Sequence, residues 1–449
     1  MKKAIVTAII FLLTFSLFAC GNNEPSGTES GVGNVQAETV NIETGDLMDP
    51  SWVKTASEDE IDKYFEVLYK ENGIDENIRA NALELFKALA LNDIKEGKNT
   101  MISPLSFMTA MGLLENGAVG DSLKEIENAF GYSIEDFNEW YGAWSKLMML
   151  QGGDTLKVAN SIWYKDDPLL KVYTDYLEKA AMIYDAAAYK EPFDDGTLDK
   201  INDWVKTNTN EMIPQILDRI SSDSVMYFIN ATCFEGAWYK DYEEDQIRED
   251  ETFTREDGTE EKAVMLYSRE EGGMFFENDY ITGTSKEYMN GFRISFLLPK
   301  EGVTLEDAVT KFQGDELSRL TMEGETADVN LVIPEFGFDY TAPDCITALK
   351  EMGIRTVFDK ETADLSNMAV SEDMYNLYVD TVIHKTRIEL DREGTKAAAA
   401  TAIGITKATG MMIDVPVKEV HLDRPFIFVI SDINTSTPIF MGTVGSISG

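Results

Sequence analysis

The sequence predicts one large mixed α+β domain behind an export leader, and three observations predict it. First, 44% of the 449 residues are apolar and 10% aromatic, which suits a sizeable buried core and not a disordered chain. Second, segments of helical period and segments of strand period are interleaved, without the regular strand–helix alternation of a parallel sheet. Third, no internal repeat and no Pro/Ser-rich linker divides 75–449. A single core usually stops growing near about 250–300 residues, so an undivided chain of this length has to be many-layered.

From the N-terminus, Lys2 and Lys3 form a short positive region and 4–18 is an unbroken apolar or small stretch. Such a stretch is too short to span a bilayer comfortably and suits a signal core. It ends in Leu17-Phe18-Ala19-Cys20-Gly21, which resembles the lipobox of bacterial lipoproteins. The resemblance implies that 1–19 is removed as a signal peptide and that the Cys20 thiol carries a diacylglycerol anchor. Residues 20–50 are rich in Gly, Ser, Asn, Glu and Thr and bury too little to offset ordering entropy, so they are expected to form a flexible tether. The expected location is the cell surface or extracellular space, lipid-anchored to the membrane. The remaining 51–449 is expected to be a single domain.

Within it, 80–94 carries apolar residues at helical spacing and Gly97 follows as a stop. Ser103-Pro104 opens a second helix, with Ser as N-cap and Pro at the first position; Phe107, Met108, Met111 and Leu114 face inward, and Gly117, Gly120 and Asp121 break it. Strand patterns follow at 225–228, 294–298 and 329–333.

Composition excludes more than it proposes. With 39 Lys+Arg against 80 Asp+Glu, the net charge of −41 repels phosphate backbones and sulfated chains, so neither nucleic acid nor heparin is an expected partner. Two histidines, His384 and His421, leave little material for His-based catalysis or a metal site, and no cofactor or metal is expected. Paired carboxylates abound by chance in so acidic a chain and do not argue for a hydrolase. Cys233 and Cys345 sit in apolar runs and are expected to be buried, unbridged thiols.

The most unusual segment is Glu393-Gly394-Thr395-Lys396-Ala397-Ala398-Ala399-Ala400-Thr401-Ala402-Ile403-Gly404-Ile405. Propensity alone reads the alanines as a surface helix. Period two gives one uncharged face, Thr395, Ala397, Ala399, Thr401, Ile403 and Ile405, with Lys396 on the other, which suits a strand entering a packed sheet. From the residues themselves, both readings stand.

The surroundings decide between them. Thr381-Val382-Ile383-His384-Lys385-Thr386-Arg387-Ile388-Glu389-Leu390 lies upstream; Asp423-Arg424-Pro425-Phe426 and Pro438-Ile439-Phe440-Met441-Gly442 lie downstream. With Ser103-Pro104-Leu105-Ser106, Ala159-Asn160-Ser161-Ile162-Trp163, Asn230-Ala231-Thr232-Cys233-Phe234-Glu235-Gly236-Ala237-Trp238 and Val332-Ile333-Pro334-Glu335-Phe336, this order closely resembles the serpins, the serine protease inhibitor superfamily. The resemblance covers 75–449.

It implies a fold of three β-sheets and eight or nine helices, with an exposed reactive loop near the C-terminus, here about 392–415. It implies a suicide-substrate inhibitor and not an enzyme. A serine protease cleaves the loop, remains as acyl-enzyme, and is trapped when the loop inserts as an extra strand in the central sheet. The hinge is Gly394, Thr395, Lys396, Ala397, Ala398, Ala399, Ala400 and Thr401. Counting fourteen positions from Gly394, as in the family, places the cleaved bond at Ala408–Thr409, which suits an elastase- or subtilisin-like pocket; Lys407–Ala408 is the alternative. No charge lies on the inserting face, so desolvation does not oppose insertion, although non-inhibitory serpins that act as binding proteins stand as the rival reading. A solute-binding lipoprotein would explain the leader but not the hinge.

The polar cluster that holds the sheet shut in the family matches Ser103, Ser106, Asn230 and His384, and Trp238 matches the point where the hinge enters. Where the family has an acidic residue two positions before the hinge glycine, this chain has Arg392; its counted partner is Glu287, so an ion pair of reversed sign is expected. The expected assembly is a monomer that forms a covalent complex with its target.

Overall fold

The computed structural model describes residues 57–152, 155–221, 224–372, 376–395 and 416–448. Its first helix, α1 (Glu58–Leu68), opens on a capping box in which Ser57 and Glu60 satisfy each other. The predicted helix at 80–94 is the C-terminal part of α2 (Ile74–Lys95), and Gly97 stops it at φ 72°, a conformation open to glycine at little cost. A short strand, β1 (Thr100–Ile102), leads into α3 (Pro104–Glu115). Ser103 caps α3 by accepting from the Ser106 N–H, and Phe107, Met108, Met111 and Leu114 are buried. Asp121 does not break a helix but sits in the first turn of the next, α4 (Gly120–Phe130). Then follows α5 (Ile134–Gly152).

The middle of the chain supplies β2 (Leu156–Lys165), β3 (Leu170–Val172), α6 (Thr174–Tyr184), β4 (Ala186–Glu191), α7 (Asp195–Asn208), β5 (Met226–Phe234) and β6 (Gly236–Ala237). Next come β7 (Ile247–Thr254), β8 (Glu260–Glu277), β9 (Ile281–Glu287), β10 (Phe292–Pro299), α8 (Leu305–Lys311), α9 (Glu316–Met322), β11 (Glu325–Pro334) and β12 (Phe336–Thr341). The C-terminal part adds α10 (Cys345–Glu351), β13 (Ala369–Ser371), β14 (Lys385–Asp391), β15 (Gly394–Thr395), β16 (Val417–His421), β17 (Phe426–Asp432) and β18 (Pro438–Val444). The three strand segments predicted from pattern fall within β5, β10 and β11. Ten α-helices lie among the described residues.

Nine of these strands form one large mixed sheet in the order β1-β18-β17-β10-β9-β8-β11-β16, with β7 added on β8. Strands β10, β17 and β18 are buried along their whole length, which is why their apolar residues fall on both faces and not on one alone.

A second layer is a central sheet in two halves. One half is β4-β2-β5; the other is β12-β14-β15-β6. Because β6 continues the chain one residue beyond β5, the halves meet at one end. Lower down, β5 pairs with β2 and β14 with β12, and no ladder joins β5 to β14 among the described residues. A cavity of about 800 Å³ occupies that gap, floored by Phe107, Met111 and Leu114 of α3 and walled by 226–230 and 376–385. Cys233 and Cys345 are buried thiols, as expected.

Candidate functional site: the head of the split sheet

The site is the end of the gap at which β5 runs on into β6. Asp391, at the end of β14, accepts from the Glu393 and Gly394 N–H groups through Oδ1 (2.8 and 3.2 Å), an Asx turn that reverses the chain. The two residues after the turn, Gly394 and Thr395, then lie between β14 and β6, paired antiparallel to both. The predicted hinge therefore already contributes the first two residues of a strand that would fill the gap. Lys396, Ala397, Ala398, Ala399, Ala400 and Thr401 lie outside the described residues, as do Lys407, Ala408, Thr409 and Cys20.

Gly394 adopts φ 147°, and a Cβ there would collide with the Gly236 carbonyl oxygen and lie 2.9 Å from the Ala237 Cα. Only glycine fits. Thr395 is 2% exposed, in agreement with its place on the uncharged face, and its hydroxyl hydrogen-bonds the Tyr288 hydroxyl at 2.6 Å. Tyr288 is stacked on Trp238 with ring centroids 4.6 Å apart and planes 7° from parallel. Trp238, fully buried, donates from Nε1 to the Asp391 carbonyl (3.0 Å) and from its backbone N–H to the Glu393 carbonyl (3.2 Å). The hinge is thus held by a Trp–Tyr platform as well as by strand pairing. Composition gave no sign of Tyr288, which the sequence reading missed.

The four residues expected to form one polar cluster do assemble at the floor of the gap. The Ser103 N–H donates to His384 Nε2 (2.9 Å), so the ring is neutral with its proton on Nδ1. Burial pushes the His384 pKa down to about 4, and Phe107 meets the ring edge-on at 5.9 Å. The Ser106 hydroxyl donates to Asn230 Oδ1, and Asn230 Nδ2 donates to Asn160 Oδ1 across the β2–β5 ladder (2.7 Å). Asn160 in turn donates to the Tyr184 carbonyl (2.7 Å). Ser103 and Ser106 sit at the start of α3, so one helix terminus joins the His384 side of the gap to the Asn230 side. Between Asn230 and His384 themselves the cavity intervenes. Asn160, quoted in a motif but not assigned a role, completes the network.

The expected ion pair between Arg392 and Glu287 is not formed. Arg392 instead grips Glu335 through two contacts, Nε to Oε1 at 2.8 Å and Nη2 to Oε2 at 3.2 Å, while its backbone N–H also donates to Oε1 (3.2 Å). The reason is strand order. Arg392 follows β14, whose neighbour is β12, and β12 pairs Phe336 with Leu390, which brings residue 335 beside the turn. Glu287 ends β9 in the other sheet, opposite Arg293, and is exposed. Glu287 therefore lies in a different sheet from Arg392 and cannot be its partner.

Comparison with known proteins agrees with this geometry. The family model described as Serpin (serine protease inhibitor) matches residues 76–447. An alpha-1-antitrypsin-like protein of Tamias sibiricus is 31% identical over 377 residues, covering 81% of this chain and 86% of that protein. Leukocyte elastase inhibitor A of Mus musculus is 30% identical over 389 residues, covering 81% and 97%. Among solved structures, the thermophilic serpin tengpin in its native state aligns with a TM-score of 0.75 at 34% identity, covering 84% of this chain and 95% of tengpin.

Proposed function

This chain belongs to the serpin family, and on that premise we propose that it inhibits an elastase- or subtilisin-like serine protease as a suicide substrate. The observation that carries the proposal is the docked start of the hinge, Gly394 and Thr395, at the head of a gap that no strand spans among the described residues. A protease that cuts Ala408–Thr409 leaves its serine acylated by Ala408, and the segment behind that ester is free to follow Thr395 into the gap. The geometry allows it. Strand β5 has nine residues, about 31 Å at roughly 3.4 Å per residue; residues 396–408 extend to about 44 Å, enough to run past its far end.

The driving force is also local. Among the described residues, the facing edges of β5 and β14 have no ladder partner across the gap, and an entering strand pairs with both edges at once. Small side chains at 397–400 enter without clash, and the uncharged face meets the apolar floor laid by α3. The Ser103–His384 and Ser106–Asn230 bonds lie at that floor, where they hold the two sides at a fixed spacing. The protease, still esterified, is carried to the far pole, as in the family.

In the same reading, cleavage of the leader leaves Cys20 lipidated, and 20–50 tethers a monomeric inhibitor to the outer face of the membrane. Its target is then a protease met outside the cell; the acidic surface does not favour nucleic acid or heparin.

The test is to mix the protein with elastase-, subtilisin-, trypsin- and chymotrypsin-like enzymes. An SDS-resistant complex with an elastase- or subtilisin-like enzyme, and a released C-terminal peptide starting at Thr409, are the expected results. Cleavage without complex formation by all four contradicts the proposal. In parallel, Thr395→Arg places a charge at a buried position beside Tyr288, and is expected to turn the inhibitor into a substrate that is cut and released.

A further inference from the structure

A buried charge lies against the Trp238 ring of the Trp238–Tyr288 platform. Lys286, on β9, is 2% exposed, and its ammonium forms an ion pair with Glu270 on β8 at 2.8 Å. The same ammonium lies 5.4 Å from the centre of the Trp238 ring and 4.8 Å from that of Tyr242. Tyr242 meets Trp238 edge-to-face at 6.4 Å and 81°, and the Ser268 hydroxyl donates to Glu270 at 2.6 Å. A desolvated cation over indole and phenol faces is attracted by both rings. One pinned ammonium therefore fixes two aromatic side chains, one of which is the residue that holds the Asp391 and Glu393 carbonyls and stacks on the tyrosine bonded to Thr395.

An ordinary structural pair gives no reason for this arrangement. Taking a lysine out of water costs several kcal/mol, and an apolar residue of similar volume at such a site is often no less stable. What the ion pair adds is position. Glu270 fixes where the charge sits, and the charge fixes the ring planes that the hinge rests on.

We propose that Lys286, held by Glu270, is a positioning residue for loop insertion: it locks the Trp238–Tyr242–Tyr288 platform so that Gly394 and Thr395 stay docked and the cleaved loop enters the sheet without first having to find its register. Because this deepens the inhibitor reading and rests on it, the test needs one readout of the hinge itself and one of inhibition. A docked hinge removes a nucleation step from a race between insertion and hydrolysis of the acyl-enzyme, so loss of the lock slows insertion and leaves the encounter with the protease untouched.

Three variants decide it. Lys286→Met removes the cation and leaves the half-buried Glu270 without its ion-pair partner. Lys286→Met combined with Glu270→Met replaces the pair by two apolar side chains and keeps the fold available if the single variant is unstable. Lys286→Arg keeps a cation over the rings. For each, hydrogen exchange of the peptide spanning 389–395 reads hinge docking. The rate of acyl-enzyme formation and the number of inhibitor molecules consumed per trapped elastase-like protease read the two halves of the reaction.

The expected result is faster exchange in both methionine variants, an unchanged acylation rate, and a ratio of cleaved to trapped product raised about tenfold, the change that roughly 1.4 kcal/mol on the insertion barrier gives. Lys286→Arg is expected to stay near wild type. If the double methionine variant behaves as wild type in exchange and in trapping, the pair is only a satisfied buried charge and the proposal is wrong. If the wild type traps no protease while exchange still rises in the variants, the inhibitor reading fails and the platform survives.

Discussion

Single residues set the tolerances of this site. Gly394 is required twice, by its φ of 147° and by the closeness of the Gly236 carbonyl. Gly394→Ala is expected to expel the hinge at a cost of about 1–3 kcal/mol of backbone strain alone. The check is the yield of SDS-resistant complex, which should fall while cleavage of the loop continues. At the other end of α3, Glu115 is 1% exposed, and neither carboxylate oxygen has a hydrogen-bond partner among the described residues. Burial first, and then Glu127 and Glu135, push its pKa up to about 9. The folded chain therefore keeps a proton that the unfolded chain releases above about 4.5. Stability from this group is present at acid pH and is lost as pH rises from there through 9, by about 1.4 kcal/mol per pH unit. Glu115→Gln is accordingly expected to stabilise the protein by a few kcal/mol more at pH 8 than at pH 5 in denaturant titrations. An equal effect at both pH values would show that the carboxyl is ionised.

Elements show how far the sequence could be read. Helix α3 was legible because its N-cap, its first-position proline and its apolar face are all local signals, and the four polar residues around it were found because family motifs quote them together. The partner of Arg392 was not legible. It lies 57 positions away in the sequence, and only the β12–β14 register, with Phe336 opposite Leu390, brings it near. The alanine-rich segment shows a similar limit. Propensity favours a helix there, whereas Thr395, its one residue on the uncharged face that is described, is in a strand, because sheet edges on both sides offer partners that an isolated segment lacks. Arg392 and Glu335 pair at the surface, with side chains 43% and 21% exposed, so their contribution is on the order of 0.2–1 kcal/mol. Reversing either charge alone should slow insertion modestly, and Arg392→Glu with Glu335→Arg should restore it. A double mutant no faster than the singles contradicts the pair.

At the scale of the molecule, the fold class followed from the mixture of periods and from the absence of a linker, whereas the nine-stranded sheet did not, because strands such as β7 and β16 carry no apolar run. Neither pattern reports whether two strands of a sheet are joined or parted, because an edge strand and a central strand carry the same alternation. The gap between β5 and β14 therefore had to be seen. On the proposed function, that gap is the place for one more strand, supplied by the chain's own cleaved loop. The direct measurement is thermal unfolding before and after a single cut near Thr409. The expected result is a melting temperature that rises steeply once the bond is broken and the loop has entered; an unchanged or lower melting temperature would contradict loop insertion.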